Sequence, residues 1–255
     1  MSGLDLRIVV PSRKRAHNMA TIQWLLPSAL ICVDEREADD YLQAVPRSKL
    51  LLHPPMDGLP RVINWMQRAV DAAILVEVDD DFQGVQCNVG AKRYITDAED
   101  ILAIIENGAR CASDLGLSAF CWSRTANVTI IDPVHRPIVP TQSVCNAFGI
   151  LGPARHREYD PSLLGRADVD WTMRTLHQDR CVFADVRFYF DCGRVFGGRG
   201  GNVGLVTPEG FKEVSLAIKR RWGRYVSFRA PAFQKNRNVA AIRLNVSRTN
   251  KTAQK

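Results

Sequence analysis

The 255-residue chain has no Gly-x-Gly-x-x-Gly after its first apolar run and no Cys-x-x-Cys pair. It also has no apolar stretch near the roughly 20 residues that cross a bilayer. The first absence argues against a dinucleotide cofactor. The second, with an odd seven cysteines spread from Cys32 to Cys192, argues against a disulfide frame or zinc site and for reduced, mostly buried thiols. The third leaves no membrane partner to expect. The opening MSGLDLRIVV lacks the basic flank and apolar core of a secretory leader, so a cytoplasmic location is expected. Acid is scarce at the far end. From Lys212 onward, twelve Lys and Arg stand against Glu213 alone, a local +11 in a chain of net +7, leaving −4 before it. A basic tail on an acidic body points to a polyanionic partner met from one side, or to a solvated basic end.

What is present is an ordinary globular composition, 46% hydrophobic and 24% charged, enough for a full core. Residues 6–10, 29–33 and 49–53 read as strands. Each is followed by apolar residues at helical spacing, such as Ala38, Tyr41, Leu42 and Val45, or Val62, Met66, Ala69 and Ala73 in a helix over 59–73. Such alternation is the signature of a parallel sheet. A fourth strand, AILVEVDDDF (73–82), ends in Asp79, Asp80 and Asp81. It delivers carboxylates to the carboxyl edge of the sheet, where open α/β folds bind ligands. Three adjacent acids are costly to bury unpaired, so they share a divalent cation or face water. An EF-hand is set aside, because position twelve would be Gly90 rather than Glu and a strand precedes the loop.

Other segments carry chemistry with structural alternatives beside it. Pro11-Ser12-Arg13-Lys14-Arg15 follows the first strand and sets a hydroxyl and guanidinium groups where a diphosphate or nucleobase can lie; the alternative is a helix capped by Ser12. Asp34 closes the second strand, beside a nucleoside or at a helix start. Asp168 and Asp170 stand just before a short amphipathic helix, able to take a proton from a hydroxyl or simply to cap the helix. Residues 193–202, with Arg199, are glycine-rich enough for a phosphate-contacting or lid loop, or for a flexible connection. Residues 85–94 read as a loop or irregular strand pair, Thr96-x-x-Glu99 as a capping box, and 118–123, 127–132, 144–151 and 182–191 as strands. Thr207-Pro208 starts a helix striped by Phe211, Val214, Ile218 and Trp222. Lys219, Arg220, Arg221 and Arg224, then Tyr225, Phe228 and Phe233, with Lys235 and Arg237 beyond, interleave cations and aromatics as nucleic-acid surfaces do, although the aromatics are equally placed for a core.

In order along nearly the whole chain, several of these pieces resemble the phage TET/JBP-associated glycosyltransferases. They are Val10-Pro11-Ser12-Arg13 with Arg15-Ala16, Val78-Asp79-Asp80-Asp81, Asp168-Val169-Asp170, the glycines from Gly197 to Gly201, and Trp222-Gly223-Arg224-Tyr225-Val226-Ser227. The resemblance implies an α/β fold with a GT-A-like nucleotide-sugar-binding sheet flanked by helices and a basic C-terminal extension. A catalytic domain would span 1–206, a basic helix and segment packed on it 207–246, and a disordered tail 247–255. It implies Mn²⁺ or Mg²⁺ held by Asp79 and Asp81, and a UDP-sugar donor near Ser12, Arg13 and Arg15; from their own places in the chain, Pro11, Asp34, Asp80 and Arg199 are expected to join the donor wall. Asp168 or Asp170 would lie by the acceptor, with Asp170 the expected base if transfer inverts the anomeric carbon, or a group that positions the acceptor if it retains it. The acceptor would be a 5-hydroxymethylpyrimidine in DNA, gripped by Lys219, Arg220, Arg221, Arg224, Lys235 and Arg237, in an infected bacterial cytoplasm. One departure matters. GT-A enzymes often add a late histidine to the metal, whereas the last histidine here is His177. Water, Asp191 or Asn202 would fill its place. Two other readings stand: a GT-A-like enzyme with another acceptor, or a sugar nucleotidyltransferase, which usually opens with a glycine-rich loop that Pro11-Ser12-Arg13 does not supply; and a non-catalytic nucleic-acid-binding protein, which needs neither acid cluster.

Overall fold

In the computed structural model, which describes residues 3–89, 93–126, 138, 143–192, 201, 205–228 and 242–246, the first four strands form a parallel sheet. These are β1 (Leu6–Pro11), β2 (Leu30–Asp34), β3 (Leu50–His53) and β4 (Ile74–Val78), in the order β3-β2-β1-β4. Ile8, Val10, Ile31, Val33, Val76 and Val78 face one core, and Val9, Cys32 and Leu75 the other. Both faces are therefore covered, which is why these strands read as unbroken apolar runs.

The first core is closed by α1 (Met19–Leu25), α2 (Ala38–Leu42) and α4 (Ala98–Asp114), through Met19, Ile22, Leu25, Tyr41, Ile101, Ile105 and Ala109. The second is closed by α3 (Leu59–Ala69), α5 (Ala167–Asp179) and α6 (Pro208–Trp222), through Ile63, Met66, Val169, Trp171, Met173 and Ile218. The third helix stops short of the expected residue 73, because Val70 is already extended at φ −91°, ψ 115°. The cap of α4 is Asp97 rather than Thr96, its carboxylate accepting from the backbone N–H groups of Glu99 and Asp100.

Beyond β4 the sheet becomes mixed. With β5 (Gly84–Cys87), β6 (Arg93–Ile95), β7 (Ala119–Ser123), β8 (Ala147–Leu151) and β9 (Phe183–Asp191), the full order is β3-β2-β1-β4-β8-β7-β9-β5-β6. The strand β8 runs antiparallel between β4 and β7, and β9 runs parallel to β7. At the two ends of the expected 85–94 stretch, β5 and β6 thus form an antiparallel pair. A small hairpin pairs β10 (Val226–Phe228) with β11 (Ile242–Leu244). The expected strand at 127–132 lies outside the described residues.

The mixed half owes its packing to bare backbone at Gly149. A Cβ there would stand 2.1 Å from Phe120 Cζ, so the Phe120 ring lies directly across β8. From it an aromatic series runs to the edge that carries the acid triplet: Phe120 edge-on to Trp122, Trp122 at 4.2 Å from Phe190, and Phe190 stacked on Phe82 at 5.3 Å. Phe82 directly follows Asp81. The acid triplet therefore stands on a packed aromatic floor.

Candidate active site

The topology brings one end of each central strand to a single edge. The carboxyl ends of β1, β2 and β4 present Ser12, Asp34 and Asp79; antiparallel β8 presents its start, Cys145 and Asn146; β7 leads into Arg124, and β9 into Cys192. The edge is stitched by backbone, with Ser12 N–H donating to Cys32 C=O at 2.8 Å and Asp79 N–H to Asn146 C=O at 2.9 Å.

Within the triplet the acids have separate tasks. Asp80 is buried and turns toward the first-strand loop, where it accepts from Ser12 Oγ at 2.7 Å and from Arg15 Nη1 at 2.5 Å. Since the Ser12 hydroxyl donates to Asp80, its 2.7 Å bond to Tyr41 is donated by the tyrosine. Tyr41 in turn accepts from Arg15 N–H, and burial pushes its phenol up to about 12, keeping it a donor. Asn18 Nδ2 holds the Asp80 carbonyl. Arg15 also reaches Asp81 at 3.1 Å; burial works against its charge, but Asp80 and Asp81 more than offset this and its pKa is raised. Arg13 is joined to Gly201 in both directions, Nη1 to the Gly201 carbonyl and Gly201 N–H to the Arg13 carbonyl, so the end of the glycine-rich segment meets the first-strand loop. Asp34 is already paired with Arg36 through both oxygens, which draws its pKa down to about 2.

Asp79 and Asp81 face each other across the turn. A carboxylate oxygen of each and Cys192 Sγ all lie within 4.8 Å of one another. Burial, then Asp81 and Asp80, hold the Asp79 carboxyl well above the usual range; burial does the same to Asp81, against Arg15. Just behind, Glu77 is buried with Oε2 lacking a hydrogen-bond partner, and its carboxyl is raised by burial, Asp79 and Asp168. Buried carboxyls crowded by neighbouring acids form a site short of positive charge, which a divalent cation would supply. The residues thus fit an oxygen-liganded Mn²⁺ or Mg²⁺. Of the sequence candidates for the third position, Asp191 points away to Tyr94 OH, and Asn202 lies outside the described residues. Sequence reasoning missed Cys192, because a cysteine without a spaced partner reads as a small core residue.

The second acid pair divides sharply. Neither acid caps α5; both lie in its first turn, after Arg166. Asp170 has no exposed side-chain surface, and its oxygens accept from Arg174 Nε at 3.0 Å, Arg221 Nη1 at 2.9 Å and Trp222 Nε1 at 2.9 Å. It joins α5 to α6. Asp168 instead is half-buried and close enough to Glu77, Asp79 and Arg124 to influence or feel them; burial raises its pKa, against the attraction of Arg124 and Arg166. Arg124, exposed just after β7, is a cation of this edge that no sequence motif marked. On the basic helix, Lys219 Nζ holds the Gly223 and Val226 carbonyls and Arg221 holds Asp160 and Asp170. Arg220 and Arg224 are exposed. Arg199, Lys235 and Arg237 lie outside the described residues.

This edge belongs to a recognised class of fold, the GT-A glycosyltransferase fold, a central mixed sheet flanked by helices. Among solved structures, the mannosyltransferase PcManGT from Pyrobaculum calidifontis, in complex with GDP-Man and Mn²⁺, is similar at TM-score 0.54 and 12% identity, over 86% of this chain and 65% of that one. The chain thus spans slightly less than two thirds of that mannosyltransferase. Glucosyl-3-phosphoglycerate synthase from Mycobacterium tuberculosis, in complex with Mn²⁺, UDP-glucose and phosphoglyceric acid, is similar at TM-score 0.55 and 10% identity, over 87% and 81%. The same synthase with Mg²⁺ and UDP matches over 95% and 88% at TM-score 0.52. No family model matches the chain, and no curated protein is similar to it in sequence.

Proposed function

We propose that the protein is a metal-dependent glycosyltransferase that takes its sugar from a nucleotide-sugar, a UDP-sugar in the first instance. The observation that carries this is the convergence of Asp79 and Asp81 at the sheet edge, where an oxygen of each and a third donor lie within 4.8 Å of one another and both carboxyls are raised, chiefly by burial. Asp79 and Asp81 would hold Mn²⁺ or Mg²⁺, which would offset the charge developing on the diphosphate leaving group. Asp80 orders the loop of Ser12, Arg13 and Arg15, the proposed nucleotide-facing wall. Asp168 is the acceptor-side base: it shares the edge with Asp79, and its raised pKa suits proton abstraction from a hydroxyl. Asp170, with both oxygens engaged, supports α5 beneath it.

For the acceptor we propose a 5-hydroxymethylated pyrimidine in DNA. The support is the ordered motif resemblance together with the exposed basic positions Lys212, Arg220 and Arg224 on one helix and its end. A base reached this way is flipped from the stack while cations hold the phosphates. The test is mass spectrometry of DNA containing 5-hydroxymethylcytosine or 5-hydroxymethyluracil after incubation with the protein, Mn²⁺ and UDP-sugars. A sugar mass on the base, lost in Asp79→Ala, supports the full reading. UDP release without a DNA adduct overturns the acceptor and keeps the transferase. DNA binding without any nucleotide-sugar chemistry favours the binding-protein reading.

A further inference from the structure

Resting on the transferase reading for the place of the cation, we infer that Cys192 is a third protein ligand, making a two-oxygen, one-sulfur site that favours Mn²⁺, Co²⁺ and Cd²⁺ over Mg²⁺. The sulfur is not a free-standing thiol near an acid. Its position is set by the sheet. Gly84 opposes Asp191 in the β5–β9 register, Gln83 N–H donates to the Asp191 carbonyl, and Asp79 N–H donates to Asn146, whose carbonyl also faces Cys192 Sγ. The turn carrying Asp79 and Asp81 and the residue after β9 are therefore tied by backbone bonds on both sides. Strand alternation sends Asp191 outward to Tyr94 and leaves Cys192 inward, its Sγ within 4.8 Å of both carboxylates. The Sγ–H donates a long 3.9 Å hydrogen bond to Asn146 C=O, and a cation bound at Sγ would displace that proton to solvent, leaving a thiolate ligand.

The consequence is a choice among metals. Carboxylate and water suit Mg²⁺, which demands regular octahedral oxygen, whereas thiolate suits softer ions. A sulfur in the set penalises Mg²⁺ and rewards metals further along the series. The competing role is an inert buried thiol completing the first core, where Cys192 also packs.

The test is the near-ultraviolet spectrum of the full-length reduced protein titrated with Co²⁺. A sulfur-to-cobalt charge-transfer band is expected in the wild type and in Cys145→Ser, and is lost in Cys192→Ser and in Asp79→Asn. By calorimetry, Cys192→Ser should weaken Cd²⁺ by at least about tenfold while changing Mg²⁺ far less, since even outer-shell losses at metal sites cost that much. Cobalt bound to the wild type through Asp79 without the charge-transfer band overturns the inference and leaves the transferase reading standing. That result needs no Cys192 variant and so stands even if Cys192→Ser fails to fold. Cobalt binding indifferent to both Asp79→Asn and Cys192→Ser overturns the cation site itself, and the transferase reading with it.

Discussion

Asp168 and Asp170 lie two residues apart on one helix and are proposed to do opposite work. Asp168→Asn should lower transfer by roughly 10²- to 10⁴-fold without lowering the melting temperature, as loss of a general base does. Asp170→Asn removes the negative charge facing two guanidinium groups and turns one acceptor oxygen into an N–H donor, leaving a single oxygen for Arg174, Arg221 and Trp222. Because both arginines keep some solvent, the expected cost is about 2–3 kcal/mol, below that of a fully buried broken pair. Thermal unfolding beside a rate assay separates the two, and a stable, inactive Asp170→Asn would reverse the assignment. Glu77 sets a pH dependence. Its folded pKa is raised by burial and by Asp79 and Asp168, so the folded chain keeps a proton that the unfolded chain releases. That contribution is complete below the ordinary carboxylate range and is lost as pH rises through the folded value. The metal-free melting temperature should therefore fall as pH is raised above that range, and Glu77→Gln should flatten the fall. An unaltered slope in the variant would place the titration elsewhere.

At the scale of elements, β8 is the piece on which the mixed half depends. Gly149→Ala puts a methyl group into the Phe120 ring, at an overpacking cost of about 1–3 kcal/mol, and Phe120→Leu in the same chain should return part of it. Urea denaturation of the single and double variants measures both; a neutral Gly149→Ala would contradict the close packing. The parallel half was legible in the sequence because β1 to β4 are apolar on both faces and alternate with helices. The acid triplet was legible because it ends such a strand. The order of the other five strands was not: whether β8 runs antiparallel beside β4 is decided by long-range pairing, which local spacing does not encode. The same limit hid the site's other half. The Asp170–Arg174 pair is a helical neighbour readable at spacing four, but Arg221, Trp222 and Cys192 reach their partners only through the folded sheet and the packing of α5 on α6.

The whole molecule sets an acid-rich edge against a basic C-terminal segment, +11 from Lys212 onward in a chain of net +7. If that segment grips phosphates, Arg220→Glu with Arg224→Glu should weaken DNA binding and reduce its salt slope by about one for each phosphate no longer neutralised, while leaving nucleotide-sugar hydrolysis intact. Equal loss of both activities would place those arginines in folding rather than recognition. Among the described residues no helix is long and apolar enough to cross a membrane. Everything proposed for this edge depends on the acids at the end of β4 holding a cation against a nucleotide-sugar. That is tested most directly by release of nucleoside diphosphate from a panel of UDP- and GDP-sugars, with Mn²⁺ and with chelator, by the wild type, Asp79→Asn and Asp81→Asn. Release should require Mn²⁺ and fall at least about 10²-fold in either variant. Release that is equal with chelator, or unchanged in both variants, would contradict a metal-held donor at this edge.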